Sequence, residues 1–412
     1  MQDESASIDV PLVPATNWLL IAVGVIGITQ AIVGQFVSQG VPLFLRSAGQ
    51  PSQVVGLVFL ASLPYILKIL WAPLVDRWKI VRFGHFRSWV IFSQIVSITL
   101  IAGLFFVSPK DSPYALITLA LLIMTALATQ ETAISGLMVR LVAANERAKF
   151  SAVRAAANGA AAAIVGFGAI YILADFGWQI VITALGVFVT LLALICVTFQ
   201  LDRGSKTDDP DTENVGMFRL FRDPRARWLL LVKTLGGLGV GISFGLKSIL
   251  LIDAGLSVSE AGLVSLVASG AIGILTALIT FPLVRRLGGY VMLGGVGLAI
   301  AGACGFFAYR FSIAVTDLDA IAFVLLTSAL LYAAYPPSRA ILMSYCGTDR
   351  AATDFSAFVS AEGALVLVVA AVGVGLVDVV GIPLLLTFAA IGTLFGSALA
   401  LRLRDDDLGR PK

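Results

Sequence analysis

Twelve apolar stretches, each about 20 residues or longer, run along the chain with short polar breaks between them. They fall at approximately 18–45, 52–75, 88–107, 114–139, 151–174, 178–200, 228–252, 257–284, 288–309, 318–345, 351–377 and 382–402. Each is long enough to cross a hydrocarbon core ~30 Å thick. The pattern predicts an all-α membrane protein with twelve transmembrane helices, numbered here as segments 1–12. The breaks between segments 5 and 6, around Asp175, and between 11 and 12, around Asp378, are the shortest.

The longest polar stretch, 201–227, divides the segments six and six. This predicts an N-terminal tail over 1–17, a six-helix bundle over 18–200, a linker over 201–227, a second bundle over 228–402 and a C-terminal tail over 403–412. The first part of the linker has the composition of a flexible chain. Its second part, VGMFRLFRDPRAR, alternates large apolar residues with arginines. A short helix lying on the membrane surface would read so, and so would a solvated loop. The N-terminal tail has three acids and no Lys or Arg. A secretory leader needs a basic start, so the first apolar run is expected to stay as a membrane anchor.

The halves also echo one another. Residues 56–77 open on Gly-Leu-Val and close on Pro73-Leu74-Val75-Asp76-Arg77; residues 262–286 open on Gly-Leu-Val and close on Pro282-Leu283-Val284-Arg285-Arg286. The offset is 206 residues at the start and 209 at the end. Membrane proteins built from two repeated halves are usually transporters, with a site at the repeat interface.

Composition agrees with a membrane location. The chain is 58% hydrophobic and 13% charged, with mean hydropathy +0.97, where a soluble domain carries roughly 25% charged residues. The net charge of +3 is spread over short loops, which argues against nucleic-acid binding. Basic residues set orientation. The loops after even-numbered segments, with both tails, hold 21 Lys and Arg, and the opposite loops hold only Arg46, Lys110 and Arg310. Both termini are therefore expected to be cytoplasmic. Cys196, Cys304 and Cys346 make no CxxC and read as apolar packing residues, with no metal site. The single histidine, His85, is expected in a loop. With no Walker A motif and no nucleophile–His–acid set, no cofactor or enzyme chemistry is expected. The energy source would be an ion gradient or the solute's own gradient.

Four basic residues stand inside spans, where a charge is costly and usually faces a partner or a water-filled cavity. Lys68 lies eight residues before Asp76, and Glu131 nine before Arg140. At about 1.5 Å per residue they reach a matching depth of roughly 12–14 Å, so they are expected to meet in one cavity; snorkelling of Lys68 is the alternative. In the second half, Arg339 and Glu362 are expected to interact between segments 10 and 11, unless segment 10 ends early at Pro336-Pro337. Tyr332 and Tyr335, just before that break, read as hinge or cavity lining. Lys247 and Lys233 on segment 7 could snorkel to opposite interfaces. Gln35 and Gln39 share a face of segment 1 with Gln30 nearby, and Gln130 precedes Glu131. Interhelical bonding and solute contact are both open to these glutamines.

The twelve segments, halved six and six with an acidic-basic link after segment 2, resemble the major facilitator superfamily, whose link reads approximately G-x-x-x-D-R-x-G-R-R. Asp76-Arg77 match it, Ala72 replaces the first glycine, and the basic run is spread over Lys79, Arg82 and Arg87. Resemblance implies a cytoplasmic gate at Asp76 and Arg77, with Arg285 and Arg286 as the counterpart after segment 8. The run from Pro64 to Arg77, PYILKILWAPLVDR, is similar to a Lys-x-Leu-Trp-Ala/Ser-Pro-Leu-x-Asp-Arg segment of AmpG-type permeases. Ala128-Thr129-Gln130-Glu131 is similar to that family's A-T-Q-D. Asn145-Glu146-Arg147 and 352–357, ATDFSA, also resemble it.

The resemblance implies a secondary transporter of the bacterial inner membrane that imports a small anionic solute with protons by alternating access. AmpG-type permeases carry muropeptides; a shorter branch, the RhtX/FptX type, carries siderophores. Glu131 in place of Asp, Ser135 in place of an acid, and the chain length lean towards a siderophore and iron acquisition, with a muropeptide or efflux as alternatives. Glu131 is the first candidate proton carrier and Glu362 the second; Lys68 would hold the anionic end of the solute. Partners expected are that solute, protons and membrane lipids, with the protein a monomer.

Overall fold

In the computed structural model the apolar segments are helices, as lipid demands, because a helix satisfies its own backbone polar groups. The structure describes residues 17–71, 74–75, 85–141, 147–172, 174–199, 224–345 and 351–402. Asp76, Arg77, Cys346, the linker up to residue 223 and both tails lie outside the described residues.

Among the described residues, eight helices are long and apolar enough to cross a membrane. They stand at segments 1, 3, 4, 6, 7, 9, 10 and 12. Segments 2, 5, 8 and 11 are shorter apolar helices, Ser52–Leu67, Ala157–Tyr171, Val258–Gly273 and Ser360–Gly375. The short ones are thus the second and fifth of each half. Their continuations are polar or irregular. Segment 2 breaks at a turn before Pro64, which has no N–H to continue the ladder. Segment 5 passes from the helix Arg147–Ala163 into a π-helical stretch, Ile164–Ile172. Segment 8 starts on a capping box between Ser257 and Glu260 and carries its own π-helical stretch, Leu263–Ala268. The two shortest breaks are true reversals. The chain turns at Gly177 (φ 98°) before Trp178, and at Gly381 (φ 78°) before Ile382, a conformation open chiefly to glycine.

The halves share one neighbour map. Segment 1 packs on 5 and 6, segment 3 on 4 and 6, and segment 2 on 4. Segment 7 packs in the same way on 11 and 12, segment 9 on 10 and 12, and segment 8 on 10. The halves meet chiefly along two seams, segment 2 against 11 and segment 5 against 8, with a smaller contact between segments 1 and 7. The repeated Gly-Leu-Val supplies a glycine to each seam. A Cβ on Gly56 would come within 2.8 Å of the Ala371 carbonyl oxygen, and one on Gly262 within 2.2 Å of Ile170 Cγ2. Gly166 repeats the second contact from the other side, at 2.6 Å from Leu266 Cβ. Backbones approach this closely only where no side chain intervenes.

The hydrogen bonds and ion pairs that join the halves among the described residues gather at the end remote from Asn17 and Arg402. Arg46 holds Asp253 through Nε and NH2, at 2.7 and 2.6 Å, and lies 3.9 Å from Asp378. The Ser52 backbone N–H donates to Asp378 (2.7 Å), and the Ser259 hydroxyl to Asp175 (2.8 Å). This far end is closed.

Candidate solute and proton site

Glu131 on segment 4 is the centre of a buried polar cluster. Its Oε2 is paired with the Arg154 guanidinium from segment 5. The same oxygen accepts from Gln30 Nε2 of segment 1, at 3.0 Å. Gln30 Nε2 also lies 3.1 Å from the Tyr65 hydroxyl and 3.1 Å from the Leu127 carbonyl. Segments 1, 2, 4 and 5 thus converge on one carboxylate.

Lys68, expected to share a cavity with Glu131 and interact with it, lies within electrostatic reach of that carboxylate, while the direct ion pair is made by Arg154. Lys68 Nζ stands 5.9 Å from the centre of the Tyr65 ring, the tyrosine whose hydroxyl accepts from Gln30. Arg154, counted by sequence with the loop after segment 4, belongs to a helix that begins at Arg147 and turns its guanidinium inward. The fold brings Lys68, Glu131, Gln30 and Arg154 together, with one surplus positive charge on Lys68.

The second half holds a related cluster. Lys233 Nζ on segment 7 lies 2.7 Å from Glu362 Oε1 on segment 11. It also bonds the Ser338 hydroxyl on segment 10, which lies 3.3 Å from the same carboxylate oxygen. Lys233 therefore does not snorkel; its side chain is 6% exposed. The interaction expected between Arg339 and Glu362 falls on a side chain outside the described residues. The helix Asp317–Tyr345 runs through Pro336 and Pro337 without ending, which removes the alternative of an early stop at the prolines. Tyr335 and Ser338 line a 390 Å³ cavity with Lys233, Glu362 and Phe244. Tyr332 instead packs its ring against Gly273 of segment 8. Glu362 Oε2 is buried and has no hydrogen-bond partner.

The two clusters occupy repeat-equivalent positions. Gln30, Glu131 and Arg154 recur as Lys233, Ser338 and Glu362, 203, 207 and 208 residues later. Each cluster joins the first, fourth and fifth helices of its half. Each is a neutral ion pair, with the acid on the fourth helix in one half and on the fifth in the other. Sequence reasoning found both acids and missed Arg154 and Lys233 as their partners. The available signal was the repeat offset, which aligns the two triads.

The other expected site residues are placed as follows. Gln35 donates to Asn158 Oδ1 (3.2 Å), an interhelical bond between segments 1 and 5. Gln39 is half-buried in the π-helical stretch Phe36–Gly40. Gln130 is buried with its Nε2 unbonded. Lys247 is 5% exposed. Arg286 is exposed, and the Arg285 side chain lies outside the described residues, as do Asp76 and Arg77, so the expected gate falls largely there. Cys196 and Cys304 are buried, each beside a hydroxyl, Thr29 and Ser243.

Comparison with known proteins places this geometry in a family. The anhydromuropeptide permease of Escherichia coli is 28% identical over 225 residues, covering 52% of this chain and 44% of that protein. A Rickettsia typhi protein named as transporter AmpG 3 is 24% identical over 201 residues, 48% of each chain. The chain thus spans about half the length of these relatives. Among solved structures, a bacterial homologue of the human lysosomal transporter Spinster, inward-facing and unoccupied, superposes with a TM-score of 0.68 at 15% identity, covering 93% of this chain and 97% of that one. The nucleoside transporter NupG superposes at 0.69 and 11% identity, covering 93% and 99%. Residues 19–371 match the model of the Major Facilitator Superfamily. The chain belongs to that superfamily, and its likeness within it runs to AmpG-like transporters.

Proposed function

We propose that the protein is a proton-coupled importer of a carboxylated muropeptide-type solute across the bacterial inner membrane. The observation that carries this reading is the carboxylate of Glu131, inside the protein and already neutralised by Arg154. A proton arriving on Glu131 removes the charge that holds Arg154. The freed guanidinium and Lys68 then form a pair of cations suited to a solute carboxylate. Loss of the proton restores the ion pair and expels the solute. Glu362 Oε2, buried and unbonded, is a second place for a proton while Oε1 stays with Lys233. Closure at the far end with both tails cytoplasmic corresponds to an inward-facing state, and the two glycine seams are where the bundles rock.

The named relatives favour a muropeptide over a siderophore. The siderophore reading keeps two sequence observations, Glu131 where muropeptide permeases have Asp, and Ser135 where they have an acid. The test is uptake of labelled anhydromuropeptide by an Escherichia coli strain lacking its own permease and carrying this chain. Uptake that a protonophore abolishes supports the proposal. No uptake, with growth instead on a ferric siderophore as sole iron source, replaces the solute.

A further inference from the structure

One buried cation takes no part in either cluster. Lys247 lies on segment 7, six residues before Asp253, so about 9 Å from the closed far end by helix rise. It is 5% exposed. Among the described residues no carboxylate approaches its amine within ion-pair distance, and no hydrogen-bond acceptor is found for it. Three acids at that end are already taken. Asp253 is gripped by Arg46, Asp378 by Ser52 and Arg46, and Asp175 by Ser259.

What lies beneath the amine is aromatic. Lys247 Nζ stands 5.5 Å from the centre of the Phe244 ring. Phe244 meets Phe59 of segment 2 edge-on, at 5.9 Å between centroids, and this contact crosses from one half to the other. The same ring lines the 390 Å³ cavity that holds Lys233 and Glu362. From the far end inward, segment 7 therefore presents the latch at Asp253, the unpaired Lys247, the aromatic contact at Phe244 and the ion pair at Lys233.

We propose that Lys247 is an anion-binding site for the carboxylate of the incoming solute, and that its occupancy favours closure of the far end. An open far end leaves the amine in water. Closing it empty confines a cation, or forces it to shed its proton, with no acid to offset the loss of water. Closing it on a carboxylate removes that cost, so a ligand that pairs with Lys247 binds the closed state better and shifts the population towards it. This deepens the proposed function and rests on the solute being anionic.

The test is a distance measurement between spin labels at Ser47→Cys and Val379→Cys, on exposed positions of the two halves at the far end, with the full chain in lipid nanodiscs. Lys247→Met is expected to raise the closed-to-open ratio of the ligand-free protein about tenfold, the scale of one charged contact. Lys247→Arg keeps the wild-type ratio. Anhydromuropeptide closes the wild type and leaves Lys247→Met unchanged. An empty-state ratio that Lys247→Met does not move, in protein that stays monodisperse, overturns the inference. If Lys247→Met closes the empty protein but anhydromuropeptide does not close the wild type, the role of Lys247 is supported and the muropeptide solute is refuted.

Discussion

Lys233 Nζ lies 2.7 Å from Glu362 Oε1, and the two residues stand where Gln30 and Arg154 stand in the first half. Both halves thus neutralise a partly buried acid with a base, through the fourth and fifth helices in the first half and the first and fifth in the second. Such a pair resists being broken from one side, because removing one partner strands the other. The cost of a stranded buried charge is about 3–5 kcal/mol, whereas replacing both partners together can be neutral.

Lys233→Met and Glu362→Gln should each lower thermal stability in detergent, and the double variant should recover most of the loss. A double-mutant cycle on the melting transition measures this. Strict additivity would mean that the two side chains do not interact.

Glu131→Gln removes the proton site and the charge that holds Arg154. Accumulation against a gradient should fall more than tenfold, the range for a lost charged contact of ~2 kcal/mol. Exchange of labelled for unlabelled solute should persist. Comparing the two in proteoliposomes with an imposed pH gradient decides the matter; undiminished accumulation would remove Glu131 from coupling.

Gly262→Ala places a methyl 2.2 Å from Ile170 Cγ2, so the seam between segments 5 and 8 has to part. The far end should open, and a cysteine at exposed Ser47 should react faster with an impermeant thiol reagent. Ile170→Ala in the same chain should restore the slow rate, because it removes the obstructing atoms. Faster labelling that Ile170→Ala does not reverse would point to general unfolding.

Arg46→Gln breaks the two-pronged contact with Asp253 and the longer ion pair with Asp378, while the Ser52–Asp378 and Ser259–Asp175 bonds remain. The side chains are 18% and 33% exposed, so the expected cost is only about 1 kcal/mol. The same thiol labelling should rise modestly, and high salt should raise the wild type towards the variant.

Both tails are expected on the cytoplasmic side from the distribution of Lys and Arg. A fluorescent protein fused after Lys412 should fold and fluoresce there, and alkaline phosphatase fused at the same point should stay inactive. The opposite pattern would invert the proposed direction of closure.

Much of the architecture is legible in sequence because it depends on local quantities. Apolar length marks the segments, and the repeat marks two halves. Gly56 and Gly262 were visible as copies of one another, yet nothing along the chain says why a glycine is needed. That became clear only when segment 11 was seen against one and segment 5 against the other.

The acids Glu131 and Glu362 could be picked out by type and depth alone, since a carboxylate inside a membrane span needs a partner wherever it sits. Their partners could not. Counting along helices favoured Lys68 and Arg339, which match them in depth. The fold pairs them directly with Arg154, counted by sequence with the loop charges, and with Lys233, which reads as a snorkelling lysine; Lys68 stays within electrostatic reach of Glu131, and the Arg339 side chain lies outside the described residues. Depth is set by chain length and rise, but which face a residue turns inward depends on how each helix is rotated and packed against its neighbours. The sequence by itself determined the segments, the halves and the buried acids. Only the tertiary structure decided which cations those acids hold, and left Lys247 with none among the described residues, because ion pairing acts over a few ångströms between segments far apart in the chain.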